Sequence, residues 1–195
     1  MQIHVTIEGT APLLMNRFNE DAEVKVSSGI SAVSIGTKGT PREQAAKKTY
    51  SDSDGNLYIP GPNIFSCLIQ AGKFHKNGKT KVTTTKSSLI PAGMALLEVV
   101  CPLGTREFEV DSRSVVIPAT GGRIMAHRPR LDNWRLSFTL EVDESMFSPD
   151  FVRLLVDDAG RKIGLGDFRP DRKGPFGKFV VTAWKVEKER KAKAA

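Results

Sequence analysis

Apolar and polar residues alternate cleanly over residues 2–8. Ile3, Val5 and Ile7 fall on one side, and Gln2, His4, Thr6 and Glu8 on the other. A period of two predicts a half-buried β-strand, which Pro12 in Ala11–Met15 breaks. Residues 16–56 lose the pattern. Gly, Ser, Thr and charges dominate there, only Pro41–Lys48 suits a short helix, and Asp52-Ser53-Asp54-Gly55-Asn56 is a turn signal. The segment reads as a long, partly flexible insertion after the first strand.

Periodicity returns at residue 57. Pro62 suits the first turn of a helix, Ile64, Phe65, Leu68 and Ile69 share one face, and Gly72 is a natural stop. Met94–Cys101 predicts an apolar strand. Phe108–Val116 predicts another, paired with it through Pro102-Leu103-Gly104. The clearest strand places Trp134, Leu136, Phe138, Leu140 and Val142 inward, with Arg135, Ser137, Thr139 and Glu141 outward. Ser148-Pro149-Asp150 then opens a second helix: a hydroxyl cap, a proline in the first turn and an acid at the positive end of the dipole. Its expected stripe is Phe151, Leu154, Leu155 and Ala159, its stop Gly160, and its solvated face Asp157 and Asp158. Lys178–Val186 is the last strand.

The order predicts an α+β, ferredoxin-like (RRM-like) β-α-β-β-α-β core, with a long insertion after the first strand and basic loops. One domain is expected over 1–186, containing the 16–56 insertion, followed by a charged tail at 187–195. The outward positions His4, Thr6, Ser137 and Thr139 carry no aromatic ladder. Binding in the manner of an RNA-recognition motif, by stacking bases on the sheet, is therefore not expected.

Composition narrows the classes. No run of eighteen apolar residues appears, the N-terminus lacks the marks of a signal peptide, and two cysteines make no disulfide framework. A cytoplasmic protein with no membrane association is the expectation. The net charge is +7, and its distribution says more. Residues 73–86, 121–135, 161–178 and 185–195 carry +5, +3, +4 and +3, leaving −8 for the rest. Positive charge gathered in loops is the footprint of a phosphate-binding surface.

Three loops carry the candidate nucleic-acid-binding residues. The first supplies Lys73, Lys76 and Lys79. The second, Pro118–Asn133, supplies Arg123, His127, Arg128 and Arg130. The third supplies Arg161, Lys162, Gly164, Gly166, Phe168, Arg169, Arg172, Lys173 and Lys178. Glycines let a backbone approach a ligand and expose N–H groups, and arginines offer two-pronged phosphate donors. Phe168 and Phe176 suit base stacking or, taken singly, loop anchoring. The histidines lack metal or relay spacing, Cys67 reads as core, and no cofactor or metal is expected.

Tyr58-Ile59-Pro60-Gly61-Pro62-Asn63-Ile64 resembles the opening of the first helix in the RAMP superfamily, the repeat-associated proteins of CRISPR effector complexes. The strand ending in Thr10–Met15 and the glycine loop Gly164–Gly177 stand in the corresponding places of that superfamily. The likeness is greatest to backbone subunits that polymerise along a guide RNA, and short proteins of this look also occur in phage genomes. The resemblance implies single-stranded RNA (or DNA) as partner, and self-assembly or CRISPR-type protein partners. It carries over Pro60, Gly61, Asn63, Gly164, Gly166, Arg169, Arg172 and Gly177. Asp21, Asp52 and Asp54 match no catalytic motif, so binding without catalysis is expected. The alternatives are a metal-independent endoribonuclease using His127 or His75, and a protein-interaction or inhibitor module.

Overall fold

The computed structural model describes residues 1–18, 39–116 and 121–187. In chain order the elements are β1 (Gln2–Gly9), β2 (Leu13–Leu14), α1 (Pro41–Ala46), β3 (Tyr58–Pro60) and α2 (Gly61–Ala71). A 3-10 turn, Gly72–Phe74, leads to β4 (Lys76–Asn77), β5 (Thr80–Lys81), α3 (Ile90–Gly93), β6 (Met94–Leu96) and β7 (Val100–Pro102). Then come β8 (Glu109–Val116), β9 (Arg123–Leu131), β10 (Arg135–Val142) and α4 (Pro149–Asp158). A π-turn (Ala159–Ile163), a 3-10 turn (Pro170–Arg172) and β11 (Phe179–Glu187) complete the order.

The main sheet has the order β11-β1-β10-β6. Every neighbour is antiparallel, and β1 shifts register against β11 between Thr6 and Ile7. The inward residues Ile3, Val5, Ile7, Leu136, Phe138 and Leu140 join Ile64 and Leu68 of α2 and Val152 and Leu155 of α4 in one buried cluster. Each such side chain contributes roughly 1.5–3 kcal/mol on leaving water. The outward residues pair instead: His4 lies 3.1 Å from the Thr139 hydroxyl, and Thr6 lies 2.9 Å from that of Ser137. The architecture is thus α+β, with further antiparallel sheets β2-β9-β8, β3-β7 and β4-β5 beside the main one.

Several local signals act as the sequence implies. The Ser148 hydroxyl accepts from the Phe151 N–H at 3.2 Å, and Thr40 with Glu43 forms a capping box on α1. Asp52 accepts from the N–H groups of Asp54 and Asn56 at 2.9 and 2.8 Å, closing the turn. The described part of the 16–56 segment is built against the body. Arg42 donates to the Phe108 carbonyl at 3.2 Å, and Lys48 donates to that of His127 at 2.8 Å. Residues 19–38, Asp21 among them, lie outside the described residues, as do 188–195 of the tail.

Other expectations are corrected. Met94–Cys101 is not one strand: β6 pairs with β10 and β7 pairs with β3. Phe108–Val116 does not pair with it, because β8 pairs with β9 from Glu109↔Arg130 to Val116↔Arg123. Most of the second basic loop is therefore β9. Its alternation is hidden because the few buried residues do not share one face: Ala126 is out of step with Pro129 and Leu131, while Ile124 and Met125 are exposed. On α4 the buried stripe is Val152, Leu155, Val156 and Ala159, the spacing i, i+3, i+4, i+7, and Leu154 is exposed. Gly160 does not end that helix. It lies inside the π-turn, where a Cβ would meet the Phe179 carbonyl at 2.2 Å, and the stop falls at Gly164 with φ +76°. Asp158 is not solvated but 8% exposed.

Candidate nucleic-acid interface

The glycine loop leaves the π-turn with the Gly164 N–H bonded to the Ala159 carbonyl at 2.8 Å. Gly166 (φ +74°) approaches the Leu14 carbonyl so closely that a Cβ would lie 2.3 Å from it. At Gly177 (φ +68°) a Cβ would lie 1.8 Å from the Leu165 carbonyl. These glycines bring the loop against its own chain. Leu165 N–H donates to Gly177, Asp167 N–H to Leu14, and Gly177 N–H to Pro12, at 2.9, 2.8 and 2.8 Å. The Gly164 and Gly177 N–H groups are taken up by the chain itself, which corrects the expectation that they are exposed to a ligand, and the Gly177 and Asp167 N–H groups brace the loop onto Pro12 and Leu14.

The basic side chains around the loop are organised by four aspartates. Asp171 accepts from Lys73 at 2.9 Å and lies 3.8 and 3.9 Å from Arg169 and Arg172. Asp158 accepts from Arg161 at 2.8 Å and Lys162 at 2.7 Å, and lies 3.2 Å from His75 Nε2, which makes no well-directed hydrogen bond. Asp167 pairs with Arg128, and Asp111 takes both of its bonds from Arg113 at 2.7 and 2.9 Å. The Arg113 guanidinium lies 4.7 Å over the Phe176 ring, tying the β8–β9 hairpin to the glycine loop.

The electrostatics follow from these contacts. The Lys73 hydrogen bond holds the Asp171 carboxyl below the usual carboxylate range. At Asp158 burial pushes upward, but the bonds from Lys162 and Arg161 outweigh it and the net direction is down. Lys48 is pushed down by burial first and by the Arg128 charge second. Burial drives the Cys67 thiol up to about 12, so it is no nucleophile at neutral pH. Its Sγ donates to the Gly164 carbonyl at 3.3 Å, fastening α2 to the loop.

Between α2, the β1–β2 segment and the loop lies a cavity of about 230 Å³. Asn63, Ser66, Gln70, Gly164, Gly166 and Arg169 stand on its wall. The fold thus brings Asn63, Gly164, Gly166 and Arg169 together. Pro60 precedes α2, and Gly61 packs where a Cβ would strike the Glu98 carbonyl at 1.9 Å. Lys73 and Arg172 join this surface through Asp171 and Arg128 through Asp167, while Asp158 holds Arg161 and Lys162 at the end of α4, where Lys162 meets Lys73 at the Phe74 ring.

The remaining candidates are placed otherwise. Arg169 is only 21% exposed and donates to the Gly166 carbonyl at 2.9 Å, so it is also part of the loop's frame. Lys173 sits in a left-handed turn (φ +61°), and Lys178 is exposed before β11. Lys76 and Lys79 are exposed on the β4–β5 hairpin, and Arg123 at the start of β9. His127 lies 2.7 Å from the Ser112 hydroxyl, and Arg130 pairs with Asp132. Phe176 is a buried anchor at 5% exposure, with the Phe168 ring 6.0 Å away. Phe74, which sequence reasoning did not single out, is 46% exposed. Its position inside the run Gly72-Lys73-Phe74-His75-Lys76 was the available signal.

No protein-family pattern and no curated protein matches this chain. Among solved structures it is similar to a chain in the cryo-EM structure of the Type III-B Cmr-beta bound to cognate target RNA. The TM-score is 0.53 at 10% sequence identity, over 94% of this chain. This chain spans 59% of that one. At such identity the likeness is one of fold. Among the described residues no helix is long and apolar enough to cross a membrane.

Proposed function

We propose that this protein binds single-stranded RNA through the basic surface around the glycine loop, as a RAMP-like component of a CRISPR-type ribonucleoprotein. Counting only the strands of the main sheet, its order is fourth-first-third-second, with α2 and α4 as crossovers, which supports a ferredoxin-like core. The observation that carries the reading is the convergence of all three basic segments. Lys73 and Arg128 come from distant parts of the sequence and are drawn onto the glycine loop by Asp171 and Asp167, beside the loop's own Arg172 and the Arg161 and Lys162 that Asp158 holds at the end of α4. RNA is preferred to DNA because the structural neighbour is RNA-bound.

The test is a titration of a labelled single-stranded RNA across a salt series. Affinity is expected to fall steeply with salt, because each phosphate neutralised releases counterions. Arg161 and Arg172 are each 69% exposed, so neutralising both to Gln weakens binding while leaving the fold intact. Salt-insensitive binding, or an unaffected double variant, rejects this surface. The same RNA incubated with chelator is expected to stay uncut. Cutting that disappears in His127→Ala would replace binding with nuclease action.

A further inference from the structure

Phe74 closes the 3-10 turn after α2, and its backbone is held. His75 N–H donates to the Gly72 carbonyl at 3.1 Å, Thr83 N–H to the same carbonyl at 3.3 Å, and Val82 N–H to the His75 carbonyl at 3.0 Å. His75 turns inward, edge-on to Phe151 with ring centres 5.5 Å apart. Phe74 turns outward. A hydrophobic ring 46% exposed on a well-pinned turn, outside the buried cluster, gains little for the fold.

Its neighbours are cations. Lys162 Nζ lies 4.6 Å and Lys73 Nζ 5.2 Å from the ring centre. Neither lysine is loose: Lys162 is bonded to Asp158 at 2.7 Å and Lys73 to Asp171 at 2.9 Å. Both carboxylates hold further cations of the site. The other strongly exposed phenylalanines differ. Phe168 leans on Phe176, and no lysine lies over the Phe18 ring among the described residues. Both ammonium groups lie over the ring in cation–π contact, so a nucleotide fits with its base against the part of the ring that remains exposed and its phosphate at the lysines.

We propose that Phe74 is a base-stacking platform of this protein, taking one unpaired base of a bound strand while Lys73 and Lys162 take the adjoining phosphate. The inference rests on the RNA-binding reading and gives it a contact outside the glycine loop. The chain of contacts Phe74, Lys73, Asp171, Arg169 leads from the platform to the cavity wall beside Gln70.

The experiment is fluorescence anisotropy with a labelled oligoadenylate of about 20 nucleotides, a length that covers more than one stacking site. It compares wild type with Phe74→Ala, Phe74→Leu and Phe74→Trp. Alanine and leucine are expected to weaken binding roughly 5- to 150-fold without changing the salt slope, since no charge is lost, and tryptophan to retain it. Thermal melts of all four proteins are expected to coincide, because the ring is half-exposed. Binding by Phe74→Ala or Phe74→Leu within about twofold of wild type overturns the platform and leaves the RNA-binding reading standing. Wild type that fails to bind the strand at low salt overturns both.

Discussion

The glycine loop at 164–177 and the corner at 73–86 look alike in sequence, as basic and turn-rich stretches, yet they are built in opposite ways. In the loop, glycines at positive φ press backbone against backbone, and the N–H groups of Leu165, Asp167 and Gly177 brace it onto the β1–β2 connection or itself. In the corner, Gly78 also has positive φ (+62°), but nothing lies within 4 Å of where its Cβ would be. The loop is a frame and the corner is a display. Asp171, bonded to Lys73 at 2.9 Å, joins the two. Positive charge alone does not tell which segment is stiff.

The comparison is broken most severely at its glycines. Gly177→Ala places a Cβ 1.8 Å from the Leu165 carbonyl at φ +68°. It is expected to cost on the order of 3 kcal/mol or more, from backbone strain and the displaced hydrogen bonds to Leu165 and Pro12. Gly78→Ala, with the same sign of φ and open space, is expected to cost only ~1 kcal/mol. Urea unfolding of the two variants measures the difference, and equal losses would mean that the loop is no stiffer than the corner.

A smaller loss is expected from Asp158→Asn, which leaves Arg161, Lys162 and His75 crowded without their carboxylate. The cost at neutral pH is expected to be ~1–2 kcal/mol, below that of a fully buried pair because its partners reach water. Asp158 and Asp171 are both held below the ordinary range. Their contribution is complete above the unfolded-state value of about 4 and is lost as pH falls through the lower folded-state values. Melting curves down to about pH 2.5 therefore show wild type losing stability below about pH 4, and Asp158→Asn losing less.

The smallest effects on stability separate two neighbouring arginines. Arg169→Gln gives up the bond to the Gly166 carbonyl and is expected to cost ~1 kcal/mol. Arg172→Gln, at a side chain 69% exposed, is expected to leave the melt unchanged. In RNA titrations the Arg172 variant lowers the salt slope by about 1, the signature of one phosphate contact. If both variants unfold alike, the distinction between frame and display fails at this point.

The sequence by itself determined what nearest neighbours control. Alternation sets β1 and β10, the proline and following apolar face set α2, Ser148 caps α4, and Asp52 closes its turn, because each depends on residues a few positions apart. The α+β class follows from the order of those elements. Only the tertiary structure decided that Arg123–Leu131 is a strand, since its partner β8 and the few residues it buries supply what its own pattern lacks. Only the tertiary structure brought His75 to Asp158 and Lys73 to Asp171, because those contacts depend on how α4 and the glycine loop pack against the turn after α2: Lys73 and Asp171 are 98 positions apart, whereas Arg161 and Lys162 reach Asp158 from three and four positions on. Phe74 belongs with them. Charge and aromaticity were legible, but exposure and company are properties of packing between segments that closure of the chain brings together.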